Sequence, residues 1–123
     1  MKALIIDDEP MPGKHLQGLI EEHCFEIEHT HVIDSPLVAL DHLKENEYDI
    51  IFLDVEMPHI NGFELLKKVR IPAKTQVIFT TAYSQYALDA FKVNAAHYLL
   101  KMVKKDDLIE AVRKACFFIR KQN

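Results

Sequence analysis

The stretch IIFLDVEMP, residues 50–58, decides the fold. Four apolar residues, Ile50 to Leu53, stop on Asp54, with Glu56 and Pro58 just behind. An unalternating apolar run of this length suits a strand covered on both faces, as in a parallel sheet flanked by helices. A carboxylate at the end of such a strand must be solvated, paired or put to chemical use.

Outward from this run, the same rhythm recurs. Upstream, KALII (2–6) reads as a buried strand, and Leu16, Leu19, Ile20 and Cys24 follow at helical spacing. EIEHTHVI (26–33) alternates less cleanly and reads as an edge strand. Leu37, Leu40 and Leu43 mark a second helix, with Ser35 as N-cap and Pro36 at its first position. DIIFL (49–53) is the third strand, and Phe63, Leu66 and Val69 mark a third helix that starts at Asn61-Gly62. Downstream come a strand in TQVIFT (75–80), a helix through Tyr83, Ala87, Ala90 and Phe91, and a strand in AHYLL (96–100). Leu108, Val112, Ala115 and Ile119, with Ile109 and Cys116 beside them, mark the last helix. Five β–α units imply a parallel sheet with helices on both faces. Right-handed crossovers narrow the topology to an α/β, flavodoxin-like (βα)5 fold, strand order 2-1-3-4-5.

Bulk properties exclude several classes. The 123 residues make one ordinary domain, residues 1–123, large enough to bury about two-thirds of its unfolded surface. With 49% hydrophobic and 28% charged residues the chain is globular rather than disordered. No apolar run approaches the roughly 20 residues needed to cross a bilayer, and the N-terminal MKALIIDDEP meets acids too early for a signal peptide. Two cysteines, Cys24 and Cys116, read as buried free thiols of a cytoplasmic protein rather than a disulfide framework. A net charge of −4 argues against direct nucleic-acid binding by this chain. Residues 101–123 are locally basic, which suits a solvated helix face or a docking surface. Phe117 and Phe118 are adjacent and cannot both lie on the buried stripe, so one is expected to face outward, as at a junction to an effector domain.

In open parallel sheets ligands bind beyond the carboxyl ends of the strands, at the switch point between strands 1 and 3. The first strand ends in Asp7-Asp8-Glu9 and the third in Asp54. Carboxylates brought this close repel one another, and a divalent cation relieves the repulsion. An all-oxygen donor set with few protein ligands suits Mg²⁺ better than Ca²⁺. A carboxylate beside Mg²⁺ can also act as a nucleophile toward phosphorus. Asp54 stands alone at its strand end and is the nucleophile candidate; Asp7 and Asp8 read as the metal-holding pair. Pro58 and Gly62 let the following loop fold back around the pocket. Thr81 and Lys101 end strands 4 and 5 at the same sheet edge, the one as a hydroxyl donor, the other as a partner for Asp54 or its phosphoryl group.

With these residues in place the sequence resembles the receiver domain of two-component response regulators over nearly its whole length. LIIDDEP, IIFLDVEMPHINGFELLKKVR, VIFTTAY and AAHYLLK match that family's acidic, phosphoacceptor, switch-hydroxyl and lysine segments in order and spacing. YALDAFKVNAAHYLLK (86–101) resembles the receivers that precede LytTR-type DNA-binding domains. The resemblance implies that Asp54 accepts a phosphoryl group from a sensor histidine kinase. It implies Mg²⁺ on Asp8, Asp54 and the backbone carbonyl of Glu56, with Asp7 helping through water. Thr81 and Tyr98 would be the switch pair, and Lys101 would bind phosphoryl oxygens. The chain would catalyse only its own phosphorylation and dephosphorylation. Output would pass through the fourth helix, fifth strand and fifth helix (the α4-β5-α5 face), here including Asp89, Lys92, Lys104 and Arg113, to a homodimer formed on phosphorylation and a C-terminal LytTR-type domain.

Two positions depart from the family pattern. Met102 stands where proline usually follows the lysine, so the Lys101–Met102 peptide is either trans with a reshaped loop or cis. His97 stands where the LytTR-type pattern favours an acid, and is either a charge near the pocket edge or a surface histidine. Four other readings compete. A receiver-like scaffold that is never phosphorylated shares every element. A haloacid-dehalogenase-type phosphatase would need Asp-x-Asp-x-Thr or Val, where this chain has Asp54-Val55-Glu56-Met57-Pro58. A nucleotide-binding module would need a glycine- or hydroxyl-rich loop in place of the acidic DDEPMPG. A zinc site from His23, Cys24, His29 and His31 fits no compact spacing.

Overall fold

The computed structural model describes residues 1–83 and 96–121. Its elements run β1 (Lys2–Ile6), α1 (Pro10–His23), β2 (His29–Ile33), α2 (Pro36–Glu45), β3 (Ile50–Asp54), α3 (Gly62–Lys68), β4 (Gln76–Thr81), β5 (His97–Leu100) and a C-terminal helix (Lys105–Lys121). The strands form one parallel sheet in the order β2-β1-β3-β4-β5, as the alternation of strands and helices predicts. The helix expected through Ala87, Ala90 and Phe91 lies outside the described residues, as do Asp89 and Lys92.

Local chemistry starts each helix. Proline occupies the first turn of α1 and of α2, where its missing N–H has no helical partner to lose. Ser35 Oγ accepts from Val38 N at 3.3 Å. Asn61 and Glu64 form a reciprocal capping box at the start of α3, both bonds 2.9 Å. Strand alternation then sends side chains to two cores. Ala3, Ile5, Ile50 and Phe52 pack under Leu16 and Ile20 of α1 and Leu108, Val112 and Ala115 of the C-terminal helix. Leu4, Ile6, Ile51 and Leu53 pack under Ala39, Leu43 and Leu65 of the opposite layer.

Some helix faces differ from expectation. Leu37 is 52% exposed; α2 meets the sheet through Ala39 and Leu43, with Leu40 at the margin. In α3 the buried apolar side chain is that of Leu65, while Phe63 and Leu66 are half-buried and Val69 already lies in extended backbone past the helix end. A helix of seven residues is too short for its apolar period to report its rotation, and here a backbone contact sets it. Gly62 N donates to Val55 O at 2.9 Å, and a Cβ on Gly62 would stand 2.5 Å from Asp54 O. In the C-terminal helix the buried stripe runs 108-111-112-115-116-119. Phe117 and Phe118 both fall off it, at 60% and 49% exposure, so both aromatics face outward. Cys24 and Cys116 are free and buried, as expected. Among the described residues no helix is long and apolar enough to cross a membrane.

Candidate functional site

β1 and β3 are neighbours in register, Ile6 opposite Leu53, so Asp7 emerges beside Asp54 at one sheet edge. Both are almost fully buried, at 3% and 2% exposure. Asp7 is tied on several sides: its N–H donates to Ile33 O at 3.2 Å, and its Oδ1 accepts from Glu9 N at 3.0 Å. One carboxylate oxygen from each of Asp7, Asp8 and Asp54 lies within 4.8 Å of the others, the one such group of potential metal ligands among the described residues. His23, Cys24, His29 and His31 do not form a comparable cluster there.

The trio fits a cation. Asp8 Oδ1 is buried with no hydrogen-bond partner. An acceptor left in that state costs about 1–3 kcal/mol. The donors are all oxygen, and the span suits a small ion held by two carboxylates directly and a third through water. That is the coordination Mg²⁺ favours.

Lys101 closes the site from β5. Its N–H donates to Thr81 O at 2.8 Å, which ties the end of β5 to the end of β4. Its ammonium lies 2.6 Å from Asp7 Oδ2 and 3.2 Å from Asp54 Oδ2. The lysine therefore bridges two acids, where the sequence suggested a pairing with Asp54. Burial, then the charge of Asp7, push the Asp54 carboxyl up to about 7, although Lys101 draws it down. Burial works against the Lys101 ammonium, yet hydrogen bonds and charge from Asp7 and Asp54 prevail and raise its pKa. The Lys101–Met102 peptide is cis, the second of the two geometries the sequence allows.

Thr81, Tyr98 and Glu56 also fall on this edge. Thr81 is the last residue of β4 and wholly buried; its Oγ1 accepts from Tyr83 N at 3.2 Å. Tyr98, partly buried on β5, donates its hydroxyl to Tyr83 O. The Tyr83 backbone thus touches both candidate switch side chains, a link invisible in sequence because Tyr83 reads as helical. Glu56 is exposed two residues past Asp54 and lines the mouth of the pocket with Glu9, Pro12, Tyr83 and Met102. The tight turn behind it is made by His59, at φ 72°, rather than by Gly62, whose φ is not positive. His97 is half-buried on the face of β5 that carries Leu99, toward the C-terminal helix and away from the pocket edge. Burial, then the charge of Lys114, lower its pKa. Lys104 and Arg113 are exposed.

Comparisons with known proteins agree with this geometry. Residues 3–113 match the family model described as the response regulator receiver domain. The sensory transduction protein LytT of Enterococcus faecalis is 34% identical over 116 residues, 94% of this chain and 48% of that protein. The transcriptional regulatory protein LytR of Staphylococcus aureus is 41% identical over 115 residues, 93% of this chain and 46% of that protein. The chain thus spans about half the length of these curated relatives. Among solved structures, the response regulatory domain of mrkE from Klebsiella pneumoniae superposes with TM-score 0.84 at 30% identity, covering 98% of this chain and 99% of that one. The response regulator TrrA of Thermotoga maritima, solved in complex with Mg²⁺ and beryllium fluoride, gives TM-score 0.77 at 33% identity, covering 94% and 99%.

Proposed function

The chain belongs to the response regulator receiver domain family, and on that premise we propose that it is a phosphorylation-activated signalling switch whose phosphoacceptor is Asp54. The observation that carries this reading is the three-carboxylate cluster, with Asp8 Oδ1 lacking a donor and Lys101 spanning Asp7 and Asp54.

Asp8, Asp54 and the Glu56 carbonyl would hold Mg²⁺, with Asp7 reaching it through water; the bound ion would offset charge on the phosphoryl oxygens. An Asp54 carboxylate oxygen bonds to phosphorus as the phosphorus–nitrogen bond of a phosphohistidine breaks, and the freed imidazole takes a proton. Lys101 pairs with a phosphoryl oxygen. The Thr81 hydroxyl turns to another and gives up its bond from Tyr83 N. That shift reaches Tyr98 through the Tyr83 backbone and biases a two-state equilibrium. The implied partners are a sensor histidine kinase in the cytoplasm, a second receiver on phosphorylation, and a LytTR-type DNA-binding domain beyond this segment. Residues 1–123 would be the receiver portion of such a regulator.

Intact-mass measurement after incubation with acetyl phosphate and Mg²⁺ tests the reading. One phosphoryl adduct is expected on the wild type and none on Asp54→Ala or after chelation. No adduct on the wild type would leave the non-phosphorylated scaffold, and sustained turnover of a generic phosphomonoester would point to a phosphatase. Sedimentation with and without beryllium fluoride tests the dimer, and a monomer in both states counts against it.

A further inference from the structure

Far from the acidic site, two histidines converge on one phenol. His42 Nε2 lies 2.7 Å and His31 Nδ1 3.2 Å from Tyr48 Oη. Their rings meet edge-on with centroids 5.1 Å apart. Tyr48 is buried, and its backbone carbonyl accepts from Thr75 Oγ1 at 2.6 Å, which anchors it to the start of β4.

A phenol has one hydrogen, so it cannot donate to both imidazoles. Asn46 settles the direction. Its Nδ2 donates to His42 O at 2.9 Å, which fixes the orientation of the amide, and the same nitrogen lies 3.3 Å from His42 Nδ1. His42 Nδ1 is therefore the acceptor, and the proton of that ring sits on Nε2. His42 donates to Tyr48 Oη, and Tyr48 donates to His31 Nδ1. The relay runs Asn46 to His42 to Tyr48 to His31, each bond with one hydrogen and one lone pair. A further proton disturbs it. On His31 Nδ1 it turns the phenol hydrogen out of the relay and leaves that hydrogen unpaired; on His42 Nδ1 it displaces Asn46.

Charges around the relay oppose that proton. Lys2 Nζ of β1 stands 5.0 Å from the Tyr48 ring centroid. Asp49 is occupied by the Lys2 N–H at 2.8 Å. On α2, Asp41 and Lys44 pair with each other at 3.4 Å, and Glu45 is exposed. His29 lies two residues along β2 from His31, on the same face. Burial, then His31 and Lys2, lower the His42 pKa from its ordinary value of 6.5.

We propose that the His31–Tyr48–His42 relay is an acid-sensitive latch that joins edge strand β2 to helix α2 and opens when an imidazole is protonated. The latch reaches the acidic edge through β2, since Ile33 O holds the Asp7 N–H. It does not depend on the phosphorylation reading.

Hydrogen exchange on the wild-type chain, corrected for intrinsic rates, tests this between pH 7.5 and 5.5. Amides of β2, α2 and Asp7 should lose about threefold to tenfold more protection than those of β4, the equivalent of one hydrogen bond. His31→Gln combined with His42→Gln leaves no imidazole on Tyr48 Oη to titrate and should remove that difference. A uniform loss, or the same selective loss in that double variant, overturns the proposal. Imidazole ¹⁵N shifts on the wild type stand independently of any variant: both His42 and His31 should carry their proton on Nε2 at pH 7.5, and a proton on His42 Nδ1 refutes the relay.

Discussion

The Lys101 ammonium lies closer to Asp7 than to Asp54, 2.6 Å against 3.2 Å. One cation from β5 thus faces the ends of β1 and β3 together. With Asp8 adjoining and unpaired by it, three carboxylates stand against one ammonium, and the imbalance leaves room for a divalent ion.

Lys101→Met removes that compensation from two nearly buried acids. Breaking a buried pair costs about 3–5 kcal/mol, and because water can reach this lysine the lower end, about 3 kcal/mol, is expected. Mg²⁺ should restore part of the loss. Thermal melts at pH 7.5 with and without MgCl2 decide it; a variant as stable as the parent without Mg²⁺ contradicts the assignment.

Asp54→Asn should stabilise the protein in a pH-dependent way. Burial and Asp7 raise the Asp54 carboxyl from 3.8 to about 7. Between those values the folded state holds a proton that the unfolded chain has released, so the contribution of Asp54 to stability falls as pH rises through that window. The variant should match the parent near pH 4 and exceed it by a few kcal/mol at pH 8. Mg²⁺ should narrow the gap, since the parent offers it one more carboxylate than the variant does. A gap that is constant from pH 4 to pH 8 would falsify this account.

Gly62→Ala forces a Cβ to 2.5 Å from the Asp54 carbonyl oxygen. A loss of roughly 1–3 kcal/mol is expected, with impaired phosphoryl acceptance because the backbone of the acceptor must move. Gly18, inside α1, has nothing within 4 Å of its would-be Cβ. Gly18→Ala should instead add about 0.5–1 kcal/mol. Denaturant midpoints compare the pair; equal effects would show that the Asp54 contact does not matter.

Both thiols should be inert in the folded protein. Burial, then Glu26 and Cys116, push Cys24 up to about 11, and burial raises Cys116 as well. Reactivity follows the thiolate and its exposure. An aromatic disulfide reagent at pH 8 should label neither cysteine until unfolding exposes them; fast labelling of either in the native protein argues otherwise.

The strands were legible because parallel strands buried on both faces leave runs such as KALII and IIFL, and each was placed within a residue except β2, which begins at His29 rather than Glu26. Helix faces were less so. Leu37 and Leu65 exchanged the expected roles of buried and peripheral leucine, because short helices take their rotation from the sheet they meet. His59 adopts the left-handed turn that glycine would suggest, while Gly62 is required by close packing on Asp54.

By itself the sequence determined which residues reach the carboxyl edge. Side-chain period and crossover handedness carry Asp7, Asp54, Thr81 and Lys101 there without any long-range information. Only the tertiary structure decided which charge meets which, that Lys101 leans on Asp7, that Asp8 lacks a donor, and that Tyr48 joins His31 to His42. Hydrogen bonds and ion pairs depend on tenths of an ångström across chain segments far apart in sequence, and no local pattern of residues encodes such distances.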